Sequence, residues 1–215
     1  MGLKMSEKKI LLDPNTGQLI AITGGIGSGK SFVLQYLKEL GFVVFDADKA
    51  VHEMLASGGN AYEEVKRKFP NAVIDNEINR KALGEIVFKD NEKLSELEEI
   101  IHPKVKEARD ACIKQNAGKS VVCEIPLLFE KNQQDNYDLI IVTVAPIYKQ
   151  RERALQRKDM TEDKFNAIIA KQVPDVIRLR GADFVIETGV SEQETKKQIR
   201  EIIADGRNKR NSARH

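Results

Sequence analysis

Apolar residues fall in two rhythms along this chain, and the expected structure changes wherever the rhythm does. Residues 18–23 form a short apolar run ending in glycines, which predicts a buried strand leading into a tight turn. Over 31–40 the apolar positions are Val33, Leu34, Leu37 and Leu40, the spacing of one helix face, and Gly41 marks its end. A second apolar strand is expected over 42–45, closing in the polar triplet Asp46-Ala47-Asp48. From about 49 to 116 the texture turns charged and helical, with Asn60, Asn79 and Asp90 as N-caps. Gly58-Gly59, Phe69-Pro70 and Asp75-Asn76 read as breaks in that stretch, and no strong strand is expected in it. The runs 120–125 and 138–144, closed by Pro126 and by Ala145-Pro146, read as strands buried on both faces. Pro146 then opens a basic helix, Thr161 caps another, and 182–187 supplies a last strand. Ser191 followed by Glu194 is a capping-box pattern for a final helix reaching about 204.

Strands alternating with helical stretches imply an α/β fold, a doubly wound parallel sheet of five strands with right-handed crossovers. The expected division is a discontinuous nucleotide-binding core over 18–48, 118–146 and 172–204, a helical acceptor-binding insertion over 49–117, and a lid over 147–171. Residues 1–17 and 205–215 are read as terminal extensions. In such a sheet ligands bind beyond the carboxyl ends of the strands, where both insertions leave the core.

Composition narrows the class. At 215 residues the chain fits one domain or one domain with insertions, and 35 Lys+Arg against 33 Asp+Glu leave a formal charge of +2. That balance argues against a dedicated nucleic-acid binder. Cys112 and Cys123 belong to no Cys-x-x-Cys pair, so neither a disulfide framework nor a structural zinc site is expected, and a reducing, cytoplasmic setting is. The longest apolar run, around 139–144, is too short to span a bilayer, and no membrane partner is expected. Met1-Gly2-Leu3-Lys4-Met5-Ser6 fits a loose myristoylation pattern beside a second Met and carries no weight. The tail charges Arg207, Lys209, Arg210 and Arg214 read as a disordered end and not as a nucleic-acid arm.

The strongest chemical signal is Gly24-Gly25-Ile26-Gly27-Ser28-Gly29-Lys30-Ser31, which satisfies G-x-x-x-x-G-K-[ST] and lies between a strand and a helix. Glycines let successive backbone N–H groups turn toward phosphate oxygens, and the following helix adds the positive end of its dipole. Lys30 is expected to reach the β and γ phosphates of a nucleoside triphosphate, and the Ser31 hydroxyl to ligate Mg²⁺. Neither D-x-x-G nor N-K-x-D is found, which disfavours a signalling GTPase, and the length disfavours a large motor. A small kinase remains. Asp46 and Asp48 suit an acceptor-side carboxylate or a water-mediated contact to Mg²⁺, while a plain helix cap is the alternative for each. Arg153 and Arg157, four apart on the basic helix, share a face and suit a lid over a triphosphate, against the alternative of a solvated basic face. For His102, before Pro103, a helix break competes with ligand contact. For 126–130, core packing competes with an acceptor-site lining. Glu124 is either a Walker-B-like acid or an acid at a buried edge.

At this point the sequence resembles the dephospho-coenzyme A kinase family, from about residue 19 to 203. The resemblance is carried by Thr23 with the glycine loop, Asp46-Ala47-Asp48, His102-Pro103, Pro126-Leu127-Leu128-Phe129-Glu130, Gln150 with Arg153 and Arg157, Gln172, and Ala182-Asp183 followed by Val185-Ile186. It implies transfer of the ATP γ-phosphate to the ribose 3′-hydroxyl of dephospho-coenzyme A, the last step of coenzyme A biosynthesis. A kinase for nucleoside monophosphates or another small metabolite is the alternative, followed by a non-catalytic nucleotide-binding regulator. On the resemblance, Asp48 orients or deprotonates the acceptor hydroxyl with Asp46 in support, and Arg153 is the lid arginine that touches phosphate. Gly25, Ile26, Gly27, Ser28, Gly29, Lys30, Ser31, Phe32, Arg157 and Arg178 are the expected nucleotide contacts. The partner is then a small molecule, on a monomer or a weak homo-oligomer. Three positions depart from the family's habit: Phe32 stands where Thr is usual, Ile168 where Arg is common, and Thr188 where Asn is common.

Overall fold

The computed structural model describes residues 11–158 and 160–205. The Met1-Gly2 pattern and the tail charges Arg207, Lys209, Arg210 and Arg214 lie outside the described residues, as does most of both terminal extensions.

In chain order the elements are β1 (Leu19–Thr23), α1 (Lys30–Glu39), β2 (Val43–Phe45), α2 (Ala47–Leu55), α3 (Tyr62–Lys68), β3 (Val73–Ile74), β4 (Glu77–Ile78) and α4 (Arg80–Phe88). There follow α5 (Asn91–Gln115), β5 (Val121–Glu124), β6 (Leu139–Val144), α6 (Ile147–Leu155), α7 (Glu162–Lys171), α8 (Asp175–Gly181), β7 (Phe184–Glu187) and α9 (Glu192–Asp205). Five strands form one sheet in the order β2-β5-β1-β6-β7. β1 lies parallel to both neighbours, with Ile20 opposite Val122 on one side and Leu139 on the other, and β6 pairs parallel with β7.

The period of two along a strand sorts these residues onto two faces. Ile20, Ile22, Leu139, Ile141, Phe184 and Ile186 pack with Val33 and Leu37 of α1 and with Ile199 and Ile202 of α9. Their neighbours Ala21, Ile140 and Val142 pack on the other side with Leu128, Phe129 and Ala182. Both faces are covered, so the strands are mainly apolar, as in parallel sheets generally, with polar residues confined to their carboxyl-terminal parts at Thr23, Glu124, Thr143 and Glu187.

Contacts divide the chain into two compact units: the segments up to Val44 and from Gly118 onward, and Phe45–Ala117. The second unit has its own core, in which Leu55, Val65, Phe69, Leu83, Val87, Ile100 and Ile101 are buried. Asn79 and Asp90 cap α4 and α5 as expected, each accepting a bond from backbone N–H. Asn60 does not cap; Ala61 precedes α3 and offers no side-chain bond.

Two further expectations fail here. Asp75-Asn76 is not a plain break but the turn of a small hairpin pairing β3 with β4, both turn residues at positive φ (50° and 62°), the geometry of a two-residue hairpin loop. Strands this short leave no period for sequence reading to detect. Pro103 does not end a helix either, because α5 runs 25 residues through it. Proline removes one backbone bond, yet Ile100 and Ile101 just before it are buried in the second core, and that packing offsets the loss. In the first unit α8, opening after Pro174, is a helix that sequence reading left out.

Candidate active site

Between the end of β1 and the start of α1 the backbone must turn within a few residues. Gly27 and Gly29 do this at φ 72° and 84°, where a side chain is strained. Space closes the same positions: a Cβ on Gly27 would run into the Gln150 carbonyl, and one on Gly29 would stand 2.7 Å from Thr188 Oγ1. Below the loop, Ser28 Oγ lies 2.7 Å from Thr143 Oγ1 in a buried pair, and the Ser28 N–H donates to the Gly25 carbonyl at 3.2 Å. The loop is therefore seated on hydroxyls as well as curved by glycines.

Lys30, the first residue of α1, folds back over this loop. Its Nζ donates to the carbonyls of Gly24 and Gly25 at 3.0 and 3.1 Å and stands 4.0 Å from Glu124 Oε1. Burial holds the Lys30 pKa below the usual lysine value; Glu124 opposes that shift, and the positive charges of Arg157 and Arg178 add to it. The ammonium is thus pre-desolvated beside a loop of N–H donors, an arrangement that rewards an incoming anion. These groups open on a cleft of about 370 Å³ whose wall includes Ser31, Glu124, Arg153, Arg157 and Gln172.

The other expected contacts in this unit divide by how they are held. Arg153 is tied down: Nη1 donates to the Gly27 carbonyl at 3.3 Å and to Thr188 Oγ1 at 3.0 Å, and Nη2 to the Thr188 carbonyl at 2.6 Å. Arg157, one turn on, is exposed at the rim of the cleft. Arg178 is buried, donating to Asp175 at 2.6 Å and to Glu130 at 3.4 Å. The Ile26 N–H donates to Gln172 Oε1 at 3.2 Å, while the Ile26 side chain packs with Ala154 and Phe165. Phe32 packs against the first core, and the Lys196 ammonium sits 5.9 Å above its ring.

The profile of the dephospho-CoA kinase family matches residues 18–194. The chain belongs to that family. A dephospho-CoA kinase of Bartonella quintana is 42% identical, over 86% of this chain and 96% of its own length. Among solved structures, a Thermus thermophilus protein superposes with a TM-score of 0.76 at 31% identity, covering 89% of this chain and 97% of that one. The dephospho-CoA kinase from Campylobacter jejuni gives a TM-score of 0.62 at 28% identity, covering 88% and 97%.

Within this dephospho-CoA kinase family member, two expected site residues belong to the second unit. Asp46 is the N-cap of α2, its Oδ1 accepting from the Lys49 N–H at 2.9 Å, and Asp48 stands in the first turn of the same helix; both are exposed. His102 lies on α5, also in the second unit. Phe129 and Leu128, left open between core and site, are buried in the core on the second face of the sheet, whereas Leu127 is 40% exposed and lines the cleft. Sequence reading missed Thr143 and the Glu130–Arg178 ion pair. Thr143 left a signal, a hydroxyl interrupting the apolar strand β6; the ion pair joins residues 48 apart and left none.

Proposed function

We propose that this chain transfers the γ-phosphate of ATP to the ribose 3′-hydroxyl of dephospho-coenzyme A, as the last step of coenzyme A biosynthesis. The observation that carries the reading is the position of the Lys30 ammonium, buried over the glycine loop and facing a cleft that Arg153 and Arg157 also line. Phosphoryl transfer leaves a protein little covalent work, so catalysis rests on alignment of the two oxygens and on charge neutralisation. Backbone N–H groups of Gly27 and Gly29, and of Lys30 and Ser31 at the start of α1, take the β-phosphate. Lys30 bridges toward the γ-phosphate, and Arg153 and Arg157 meet the charge that spreads over its oxygens. Asp48 orients the acceptor hydroxyl and takes or shares its proton.

Mg²⁺ would be held by the Ser31 hydroxyl, with Glu124 of the same unit reaching it through water. Ser31 is exposed and lines the cleft. Among the described residues no three His, Cys, Asp or Glu side chains converge as a metal cage, which suits an ion held mainly by phosphate and water. When bound, the ion neutralises charge on the bridging phosphate oxygens.

An acceptor panel read by ADP release tests the reading. Dephospho-coenzyme A should stimulate turnover well above every nucleoside monophosphate and small polyol offered beside it. Equal stimulation by a nucleoside monophosphate would replace the acceptor assignment, and ATP binding without stimulation by any acceptor would make the chain a binding protein.

A further inference from the structure

Thr188 follows β7 directly and is only 4% exposed. Its N–H donates to the Val144 carbonyl at 2.8 Å, which pins it beside the end of β6. Its hydroxyl proton goes to the Ser28 carbonyl at 2.7 Å, under the phosphate loop. The same oxygen accepts from Arg153 Nη1 at 3.0 Å, and the Thr188 carbonyl accepts from Nη2 at 2.6 Å. A single residue therefore receives both terminal nitrogens of the guanidinium while holding the loop from below. A hydroxyl can do this because it donates once and accepts at the same atom.

The neighbourhood fits a short hydroxylated side chain. Gly29 leaves room for it, since a Cβ there would stand 2.7 Å from Thr188 Oγ1. Arg153 stands between the cleft over the glycine loop and a second hollow of about 240 Å³ lined by Gly29, Phe32, Thr188, Val190 and Glu192. An arginine side chain free to explore its rotamers would be ordered only at an entropic cost. The bonds to Thr188 and Gly27 meet that cost in the folded protein and leave N–H donors over for a ligand.

We infer that Thr188 is a positioning residue, whose hydroxyl sets the Arg153 guanidinium at the mouth of the phosphate loop through one bond to the arginine and one to the Ser28 carbonyl. This rests on the kinase reading above only in so far as Arg153 meets phosphate. Thr188→Val keeps the shape and deletes the hydroxyl. It should lower kcat about tenfold, with the KM for dephospho-coenzyme A moved less than about twofold. Thr188→Ser should return kcat to within about twofold of the parent, since it restores the donor and the acceptor.

The deciding measurement is a double-mutant cycle with Arg153→Ala, read both in kcat and in the Kd for ATP measured by calorimetry without acceptor. In the Arg153→Ala background Thr188→Val should cost less than about twofold further, because the group it positions is already gone. A melting curve on each variant separates lost folding from lost function, and Thr188→Ala supplies a second hydroxyl-free variant for the cycle. Parental kcat and ATP affinity in Thr188→Val would overturn the inference. So would a full tenfold loss persisting without Arg153, which would assign the effect to the loop alone. A parent enzyme that dephospho-coenzyme A does not stimulate would sink the acceptor assignment, and the ATP arm of the cycle would still decide the role of Thr188.

Discussion

Tyrosines aside, every buried polar or charged side chain among the described residues, from Thr23 and Ser28 through Thr143, Gln150, Arg178 and Thr188 to Gln198, lies in the unit that carries the glycine loop. In the helical unit, Phe45–Ala117, the buried set from Met54 to Ile101 is apolar but for the hydroxyl of Tyr62, which donates to the Asn76 carbonyl. Beside its apolar cores the first unit adds buried directional bonds with defined partners around the glycine loop, such as Ser28 to Thr143 at 2.7 Å and Arg153 to Thr188 at 3.0 Å. The interior of the second is held chiefly by packing, which is non-directional and scales with area. Directional bonds fix atoms to the tolerance that phosphoryl transfer needs; packing fixes a helix and leaves its outer surface free to vary. A substitution near the loop should therefore alter rate more than stability, and one in the helical core the reverse.

Lys30→Ala breaks the first half of that comparison most severely. The ammonium is buried, so its removal relieves a desolvation cost while deleting the charge proposed to meet the phosphates. Turnover should fall by about 10²–10³-fold, with a melting temperature equal to or above the parent's. Near-normal kcat in steady-state kinetics would remove the loop from the active site.

Asp48→Asn tests whether the packed unit contributes one catalytic group despite its apolar interior. The change keeps size and removes charge, so kcat should fall about 10²-fold while the Kd for ATP stays within about twofold. Equal losses in both would mean that Asp48 serves nucleotide binding instead.

Val65→Ala should do the opposite. Val65 is fully buried on α3 in the second core, and loss of its two methyls should cost about 2 kcal/mol of stability by chemical denaturation. ATP affinity should not move. A loss of ATP binding well below the denaturation midpoint would show that the two units do not respond independently.

The same contrast explains what could be read from the residues alone. Strands buried on two faces announce themselves as apolar runs, and all five sheet strands were legible to within two residues, as 182–187 against Phe184–Glu187 illustrates. The glycine loop was legible because its chemistry is carried by backbone geometry that only particular residues permit, as at Gly27 and Gly29. Pro103 misled because a local rule met a tertiary one: helix continuation there is decided by burial of Ile100 and Ile101, which no local spacing reveals. The support under the loop was hidden for a related reason. Thr188 bonds to Ser28 and Arg153 across sequence distances of 160 and 35, and only the register of β6 and β7 brings those residues together.

Asp46 poses the smallest and sharpest test, because two physical roles predict different answers at one side chain. As the N-cap of α2 it accepts from the Lys49 N–H at 2.9 Å, and asparagine caps about as well as aspartate whereas alanine does not. Asp46→Ala should therefore cost about 1 kcal/mol, and Asp46→Asn close to nothing. In turnover, Asp46→Asn should stay within about threefold of the parent, since support of Asp48 through the start of α2 needs the cap and not the charge. If Asp46→Asn instead loses activity as heavily as Asp48→Asn while its melting curve is unchanged, the acceptor-side carboxylate is Asp46. The two aspartates would then exchange roles: Asp46 would act on the acceptor hydroxyl, and Asp48 would complement the helix N-terminus.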